Sequence, residues 1–210
     1  MVSKVKAFIN SMLLRNPRRN IIQDFLYAQI SLLVFLILSS LIFPYVPIHG
    51  RGISEFGVNF STLIPYSVGY ILYAYFIAKS VKYIDIVDNL SKSIYYSFNA
   101  IAVLFIALIF TPYAIDTGFN WIHNTVSTIL FLIELALVIY LIYCDRFSFS
   151  NIILLCLQII GGLISMFSLS NNGGLHLLFE GEVIFQIFFV ILIFKLIPKF
   201  RISYKKDYYG

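Results

Sequence analysis

Glu134 is the one charged side chain within a long apolar stretch of the sequence. At the centre of a bilayer its charge would cost about 2.5–3.5 kcal/mol, so the carboxyl group should face other helices, either protonated or with a partner. His123, Ser127 and Leu130 precede it at helical spacing, which places all four residues on one helix face. The pattern therefore predicts a polar stripe that starts at one membrane surface, beside Asn124, and reaches mid-depth.

A second group of polar residues surrounds the start of the last apolar stretch. His176 and Glu180 are one helical turn apart and share a face, whereas Glu182 aligns with Gln186. Together with the loop before the second apolar stretch, these residues predict a ligand-binding pocket on one side of the membrane. Its candidate lining residues are Arg51, Ser54, Glu55, His123, Asn124, Ser127, Glu134, His176, Glu180 and Glu182. The alternative is that these groups only satisfy one another and fix the register of the helices.

Histidine and carboxylate side chains also suggest metal chemistry. His123, His176 and Glu180 are candidate zinc ligands, although no pair has the His-x-x-x-His spacing of a dedicated site. Ser54 or Ser127 beside His123 is a further candidate, as a nucleophile with its base. No glycine-rich nucleotide loop or haem-attachment motif is present, so the sequence specifies neither a catalytic residue nor a cofactor.

Composition indicates what kind of structure must position these residues. The chain has 210 residues, of which 60% are hydrophobic and 12% charged, and its mean hydropathy is +0.89. Soluble domains contain about 45–50% apolar and about 25% charged residues. A globule of 24.1 kDa has too little interior to bury this excess, which must therefore face lipid. This excludes a cytosolic enzyme, a disulfide-rich secreted module and a disordered tail.

Six apolar stretches are long enough to cross a bilayer as helices, which requires roughly 20 residues each. We place them at residues 25–43, 58–80, 93–112, 121–144, 150–168 and 176–198. The predicted fold is all-α, a polytopic membrane protein built as a six-transmembrane-helix bundle. Three regions are predicted: a basic amphipathic segment at the membrane surface (1–24), the transmembrane domain (25–198) and a basic tail (199–210).

The basic residues predict the orientation. With six spans, all of the 15 Lys and Arg residues except Arg51 fall on the side that carries both tails. The positive-inside rule then places both termini in the cytoplasm of a multi-pass cell-membrane protein, with the pocket facing outward. The net charge of +5 follows from this bias, so no nucleic-acid partner is predicted. The predicted partners are the lipid bilayer and, for the tail from Lys199 to Lys206, anionic lipid at the cytoplasmic face.

The fifth apolar stretch carries Gln158, Gly161 and Ser165 on one face. Gly161 and Gly162 are predicted to permit a close approach between helices, as small residues do in membrane proteins. Gln158 is expected at a depth similar to that of Glu134, which makes it a candidate hydrogen-bond partner for that carboxyl group.

The segment Ile53-Ser54-Glu55-Phe56-Gly57 resembles the Ile-Ser-acidic-x-Gly segment of the FRAG/DRAM/SFK-like six-helix membrane proteins and their prokaryotic relatives of unknown function. His123-Asn124 and Gly181-Glu182 are similar to residues of the same proteins. The resemblance implies a six-span integral membrane protein with a loose link to lipid handling or membrane homeostasis.

The leading interpretation is an integral membrane protein whose outward-facing polar pocket binds a lipid headgroup or a small polar ligand. Three alternatives stay open: a lipid-directed intramembrane hydrolase or transferase, with or without a metal; a small transporter with Glu134 as an ion relay; and a structural subunit of a membrane complex or homo-oligomer. Few polar residues other than Asn99 continue the path from Glu134 toward the cytoplasmic side, which makes transport the weaker alternative.

Overall fold

The computed structural model describes residues 17–112, 117–145, 147–170, 176–200 and 202. These residues form seven α-helices, three short 3₁₀ turns and no β-sheet. The helices are α1 (Pro17–Ile42), α2 (Tyr45–Ile48), α3 (Leu63–Ser80), α4 (Asn89–Phe110), α5 (Thr117–Cys144), α6 (Phe149–Ser170) and α7 (Leu178–Leu196). The 3₁₀ turns span Ile53–Gly57, Val81–Tyr83 and Ile197–Lys199. The prediction of an all-α fold is confirmed.

Within the described residues, five helical segments are long and apolar enough to cross a membrane. They are Asn20–Ile42, Asn89–Phe110, Asn120–Cys144, Phe149–Ser168 and Leu178–Lys199. Large apolar side chains such as Leu41, Val103 and Phe110 lie exposed on the outer surfaces of these helices. Because every backbone polar group of a helix is satisfied internally, such segments are stable in lipid. The protein is therefore a multi-pass integral membrane protein.

Helix α3 differs from these five segments. Its 18 residues include Lys79 and four tyrosines, which lower its hydropathy. It occupies the position of the second predicted span, so five helices meet the requirements of length and apolarity where the sequence predicted six. Three of its tyrosines, Tyr66, Tyr70 and Tyr73, are buried inside the bundle. These three tyrosines therefore face other helices, whereas Tyr75 is 55% exposed.

Two predicted helix starts differ from the observed ones by five residues or more. Helix α1 begins at Pro17 rather than at residue 25, and proline is favourable at the first helical position because its missing N–H needs no partner there. Helix α3 begins at Leu63 rather than at residue 58. The preceding residues form a turn instead, in which Thr62 Oγ1 donates to the Phe56 carbonyl oxygen at 2.8 Å.

The predicted terminal regions fall mostly outside the described residues. Residues 17–24 of the predicted amphipathic segment belong to α1 and continue directly into the apolar part of that helix. The predicted segment 1–16 and the tail residues 203–210 are not among the described residues. Their proposed contacts with the membrane surface thus stay predictions.

The long helices pack mostly against their neighbours in sequence. Helix α1 packs along α3, α3 along α4, and α4 along α5, while α6 packs closely along α7 and α5 contacts α7. At the crossing of α6 and α7, a Cβ atom at Gly161 would lie 2.6 Å from the backbone nitrogen of Phe185. The predicted close helix approach at Gly161 is confirmed, because a side chain there would collide with the backbone of α7.

An aromatic cluster closes one end of the bundle. Phe25 of α1 stacks on Phe98 of α4 with ring centroids 5.6 Å apart. Its ring also makes edge-to-face contacts with Phe189 and Phe194 of α7, at centroid distances of 6.2 and 5.3 Å. Phe25, Phe98 and Phe189 are fully buried. We call these four residues the Phe25 cluster and this side of the bundle the Phe25 end.

Two ion pairs link separate segments of the chain at the Phe25 end. Lys79 Nζ at the last turn of α3 lies 2.8 Å from Asp24 Oδ1 in α1, and Asp24 is buried. Lys199 Nζ pairs with Asp145 Oδ2, which also accepts a hydrogen bond from Asn151 Nδ2 at 3.0 Å. Lys79 and Lys199, both predicted to lie on the cytoplasmic side, therefore have carboxylate partners within the protein.

Candidate functional site

A cavity of about 230 Å³ lies between α1, α3, α4, α5 and α7, away from the Phe25 end. Most of its lining is apolar and comes from leucine, isoleucine, valine and phenylalanine side chains. The polar lining residues are Gln29, Ser54, Tyr70, His123, Ser127, Glu134, Glu182 and Gln186. Five of the ten sequence-predicted pocket residues, namely Ser54, His123, Ser127, Glu134 and Glu182, thus face one common space.

Helix α5 contributes the polar stripe that its spacing predicts. His123, Ser127, Leu130 and Glu134 all line the cavity, because residues three and four apart stay on one helix face. His123 is 4% exposed, and its Nδ1 lies 2.5 Å from the carbonyl oxygen of Thr111 at the end of α4. A carbonyl only accepts hydrogen bonds, so Nδ1 carries the proton in this arrangement. That bond fixes the ring at the cavity wall.

Glu134 combines deep burial with an unmet hydrogen bond. The residue is 1% exposed, and its Oε1 atom has no hydrogen-bond partner. The ion pairs among the described residues do not include it. A buried polar atom without a partner costs about 1–3 kcal/mol, so such an atom beside a cavity requires an explanation.

Gln158 does not supply the missing partner. Both polar atoms of its buried amide lack hydrogen bonds, so the predicted bond between Gln158 and Glu134 is not formed. Gln158 also does not line the cavity. The physical reason is that α6 packs closely along α7 and much less along α5.

Residues 50–57, which we call the capping loop, cover the end of the cavity opposite the Phe25 end. The Ile53 backbone N–H donates to Glu182 Oε2 at 2.7 Å, and the Leu178 N–H donates to the Gly50 carbonyl at 3.0 Å. Gly50 has φ +59°, and a Cβ atom there would lie 1.4 Å from the carbonyl oxygen of His176. Only glycine fits this turn, which holds the loop against the start of α7.

A buried tyrosine forms a polar bridge on the other side of the cavity. The Tyr73 hydroxyl accepts hydrogen bonds from Gln29 Nε2 at 3.2 Å and from Gln186 Nε2 at 3.3 Å. These bonds join α1, α3 and α7 one helical turn beyond Tyr70, in the direction of the Phe25 cluster. The capping loop therefore covers one end of the cavity, and the Tyr73 bridge holds two of its lining residues, Gln29 and Gln186, toward the other end.

Five of the ten predicted pocket residues do not line the cavity. They are Arg51, Glu55, Asn124, His176 and Glu180. Glu180 lies two residues from Glu182, which turns it to a different side of α7, and His176 is an exposed residue of the connection before that helix. Sequence spacing placed them near the pocket but could not fix the direction of each side chain.

Arg51 and Glu55 interact with each other instead of with the cavity. Arg51 Nη1 lies 3.5 Å from Glu55 Oε1. Partial burial raises the pKa of the Glu55 carboxyl group above its ordinary value, and the nearby guanidinium group of Arg51 opposes that shift. An exposed pair of this kind contributes little to stability.

The predicted metal site is not assembled. Within the part of the chain that the structure describes, no three or more His, Cys, Asp and Glu side chains are grouped in a way that could hold a metal ion. Of the candidate ligands His123, His176 and Glu180, only His123 lines the cavity. Ser54, Ser127 and His123 do share that space, whereas His176, which the predicted hydrolase or transferase would use together with His123 and a carboxylate, lies outside it.

Sequence reasoning missed the contributions of α1 and α3. Gln29 is a single amide in an apolar run, and no local pattern reveals its partner. Tyr66, Tyr70 and Tyr73 follow one another at intervals of four and three, which is the signature of a common helix face. That spacing is the signal that would have identified α3 as a helix with a polar interior face.

Comparison of the chain with family models, with curated proteins and with solved structures finds no match. The function is therefore inferred from the cavity and its chemistry.

Proposed function

We propose that this membrane protein binds a small polar or amphiphilic ligand in the cavity beside Glu134. The observation that carries the proposal is the Glu134 Oε1 atom, which is buried at the cavity wall without a hydrogen-bond partner. Binding sites typically combine apolar walls with a few polar groups that orient the ligand. Glu134, Glu182 and His123 supply such groups here, and a ligand with hydrogen-bond donors would satisfy the free oxygen.

We also propose that α3 is a sixth membrane span. Lys79 at one end of α3 pairs with Asp24 near the start of α1. Further along, a Cβ atom at Gly69 would lie 2.7 Å from Cβ of Phe35, so the two helices remain in close contact. Helix α1 rises about 16 Å between these two points. Helix α3 thus accompanies α1 through much of the bilayer, and its buried tyrosines do not face lipid.

Six spans would orient the molecule by the positive-inside rule. Both termini would then be cytoplasmic, with the Phe25 end toward the cytoplasm and the capping loop toward the outside. Basic residues near the Phe25 end support this orientation, namely Lys79, Lys82, Lys92, Lys195 and Lys199. The cavity would accordingly face outward.

Cysteine labelling tests the crossing of α3. Arg51→Cys and Phe60→Cys should react from outside intact cells with a membrane-impermeant maleimide, whereas Val87→Cys should react only after the membrane is opened. Phe60 and Val87 are exposed and lie on opposite sides of α3 in sequence. The background is Cys144→Ser with Cys156→Ser, because both natural cysteines are free and exposed. Equal labelling of Phe60→Cys and Val87→Cys in intact cells would show that α3 does not cross the membrane.

The closed Phe25 end favours a binding role over transport. A transport path from Glu134 needs polar groups on both sides of the carboxyl group. In the direction of the Phe25 end, the buried rings of Phe25, Phe98 and Phe189 pack against one another in the bundle interior. We propose in addition that the relation to the FRAG/DRAM/SFK-like proteins holds, since the segment that carries it, Ile53–Gly57, belongs to the loop that covers the cavity.

Filling the cavity tests the proposed function. We expect Ser127→Trp to weaken saturable binding of an amphiphile by at least tenfold, because the indole would occupy the ligand space. The probes are ethanolamine, dodecylamine, 1-dodecanol and dodecanoate, titrated against the full chain in phosphatidylcholine nanodiscs with empty discs as blank. Ile129→Trp, at an exposed position of the same helix, is the matched control and should bind normally. If wild-type protein binds none of the four probes saturably, or if Ser127→Trp binds them unchanged, the proposal is wrong.

A further inference from the structure

The cavity reaches the lipid-facing surface of the bundle. Leu33 of α1 and Ile187 of α7 both line the cavity, yet their side chains are 57% and 49% exposed. Both residues therefore stand where the cavity wall meets the outer surface, and α1 and α7 are not a closely packed helix pair at this place. The cavity therefore has a side opening between α1 and α7, at the depth of the acyl chains.

The packing of α1 and α7 explains this opening. At the Phe25 end, α1 contacts the last part of α7 through Phe25 and through the turn Ile197–Lys199. Between the Phe25 end and the capping loop, the two helices do not form a closely packed pair, in contrast to α1 with α3 and α6 with α7. Gln29 and Gln186 meet only indirectly, through the Tyr73 hydroxyl. The helices thus touch at one end and separate beside the cavity.

The charges in the cavity select the kind of headgroup. Its lining includes the carboxyl groups of Glu134 and Glu182 but no Lys or Arg side chain. Arg51 is exposed outside the cavity and pairs with Glu55. A phosphate or carboxylate group would enter a low-dielectric space beside two carboxyl groups with no cation to offset its charge. A headgroup that donates hydrogen bonds would satisfy the free Glu134 oxygen, and a positive charge on it would be attracted to the two carboxyl groups.

The volume limits how much of a ligand is enclosed. About 230 Å³ is less than the ~300–1,000 Å³ typical of sites that enclose a drug-sized ligand. A headgroup and the first few carbons of one chain would fill it. The remainder of the chain would leave through the side opening, where Leu33 and Ile187 offer apolar contact.

From this geometry we infer that the ligand is a single-chain cationic amphiphile, with an ammonium headgroup at Glu134 and its chain in the gap between α1 and α7. The inference rests on the proposed function and assigns the ligand class to that same cavity. An ammonium group brings three donors, and alkylamines remain protonated at neutral pH, as the lysine side chain does. Access is lateral, from the bilayer.

Headgroup selectivity is the first test. In phosphatidylcholine nanodiscs, dodecylamine should bind the full chain at least tenfold more tightly than 1-dodecanol or dodecanoate. Glu134→Gln keeps the shape of the side chain and should remove this preference, so that the variant binds dodecylamine and 1-dodecanol with similar affinity. Equal affinity for the three probes in the wild type, or a preference for the amine that survives Glu134→Gln, would overturn the inference.

Lateral access is the second test. Ile187→Trp should slow dodecylamine association by about tenfold, because the indole narrows the side opening. Ile191→Trp is the matched control, since Ile191 is exposed on α7 one turn away and does not line the cavity. Unchanged association in Ile187→Trp would refute lateral access. If dodecanol or dodecanoate binds as tightly as the amine and Ser127→Trp abolishes that binding, the ligand site stands and only the cationic assignment fails.

Discussion

Glu134→Leu is expected to lower the affinity for dodecylamine by roughly 10- to 100-fold while leaving the protein at least as stable as before. Hydrogen bonds to charged groups contribute about 1.5–3 kcal/mol, and about 1.4 kcal/mol corresponds to a factor of ten in affinity. The unpartnered Oε1 atom already costs free energy in the ligand-free protein, so its removal does not expose a broken interaction. Nanodisc titration and thermal unfolding measure the two effects on the same sample.

Gln158→Leu is the control that matches this variant. Gln158 is also a fully buried polar side chain without hydrogen-bond partners, but it lies outside the cavity. Both variants should keep or raise the unfolding temperature, and only Glu134→Leu should change binding. A loss of binding in both variants would indicate a general effect of removing polar groups from the bundle. Unchanged dodecylamine binding in Glu134→Leu would show that Glu134 is not part of the binding site.

The largest effect on stability is expected at the crossing of α6 and α7. A Cβ atom at Gly181 would lie 2.5 Å from Ser165 Oγ and 2.6 Å from the Ser165 backbone nitrogen, and one at Gly161 would lie 3.0 Å from the Gly181 carbonyl oxygen. Backbone atoms cannot move aside, so a larger residue must separate the helices. We expect Gly181→Val and Gly161→Val each to destabilise the protein by about 3 kcal/mol, the upper part of the range for overpacked cores.

Gly162→Ala is the control for this crossing. A Cβ atom at Gly162 has only Phe185 side-chain atoms near it, the closest at 3.3 Å, and a slight shift of that ring accommodates the methyl group. Alanine also favours a helix interior over glycine by about 1 kcal/mol, so the net change should be near zero. Thermal unfolding in one detergent compares the three variants. If Gly161→Val is as stable as Gly162→Ala, the backbones of α6 and α7 are not in contact at Gly161.

The sequence carries enough information to predict the helices and the polar stripe on α5. Apolar runs of this length are stable only as helices in lipid, and the spacing of His123, Ser127 and Glu134 repeats with the helical period. Both signals are local, so no knowledge of other elements is needed. The alignment of Glu182 with Gln186 follows in the same way, and both residues do line the cavity.

Only the tertiary structure decides which faces meet. His176 and Glu180 are as polar as Glu182, yet the rotation of α7 about its axis turns Glu182 toward the cavity and leaves Glu180 outside it. Gln29 and Tyr73 come from different helices, and their hydrogen bond depends on how α1 packs against α3. Helix rotation and loop conformation result from packing between distant segments. Helical periodicity therefore determines which side chains share a face, whereas packing determines what that face contacts.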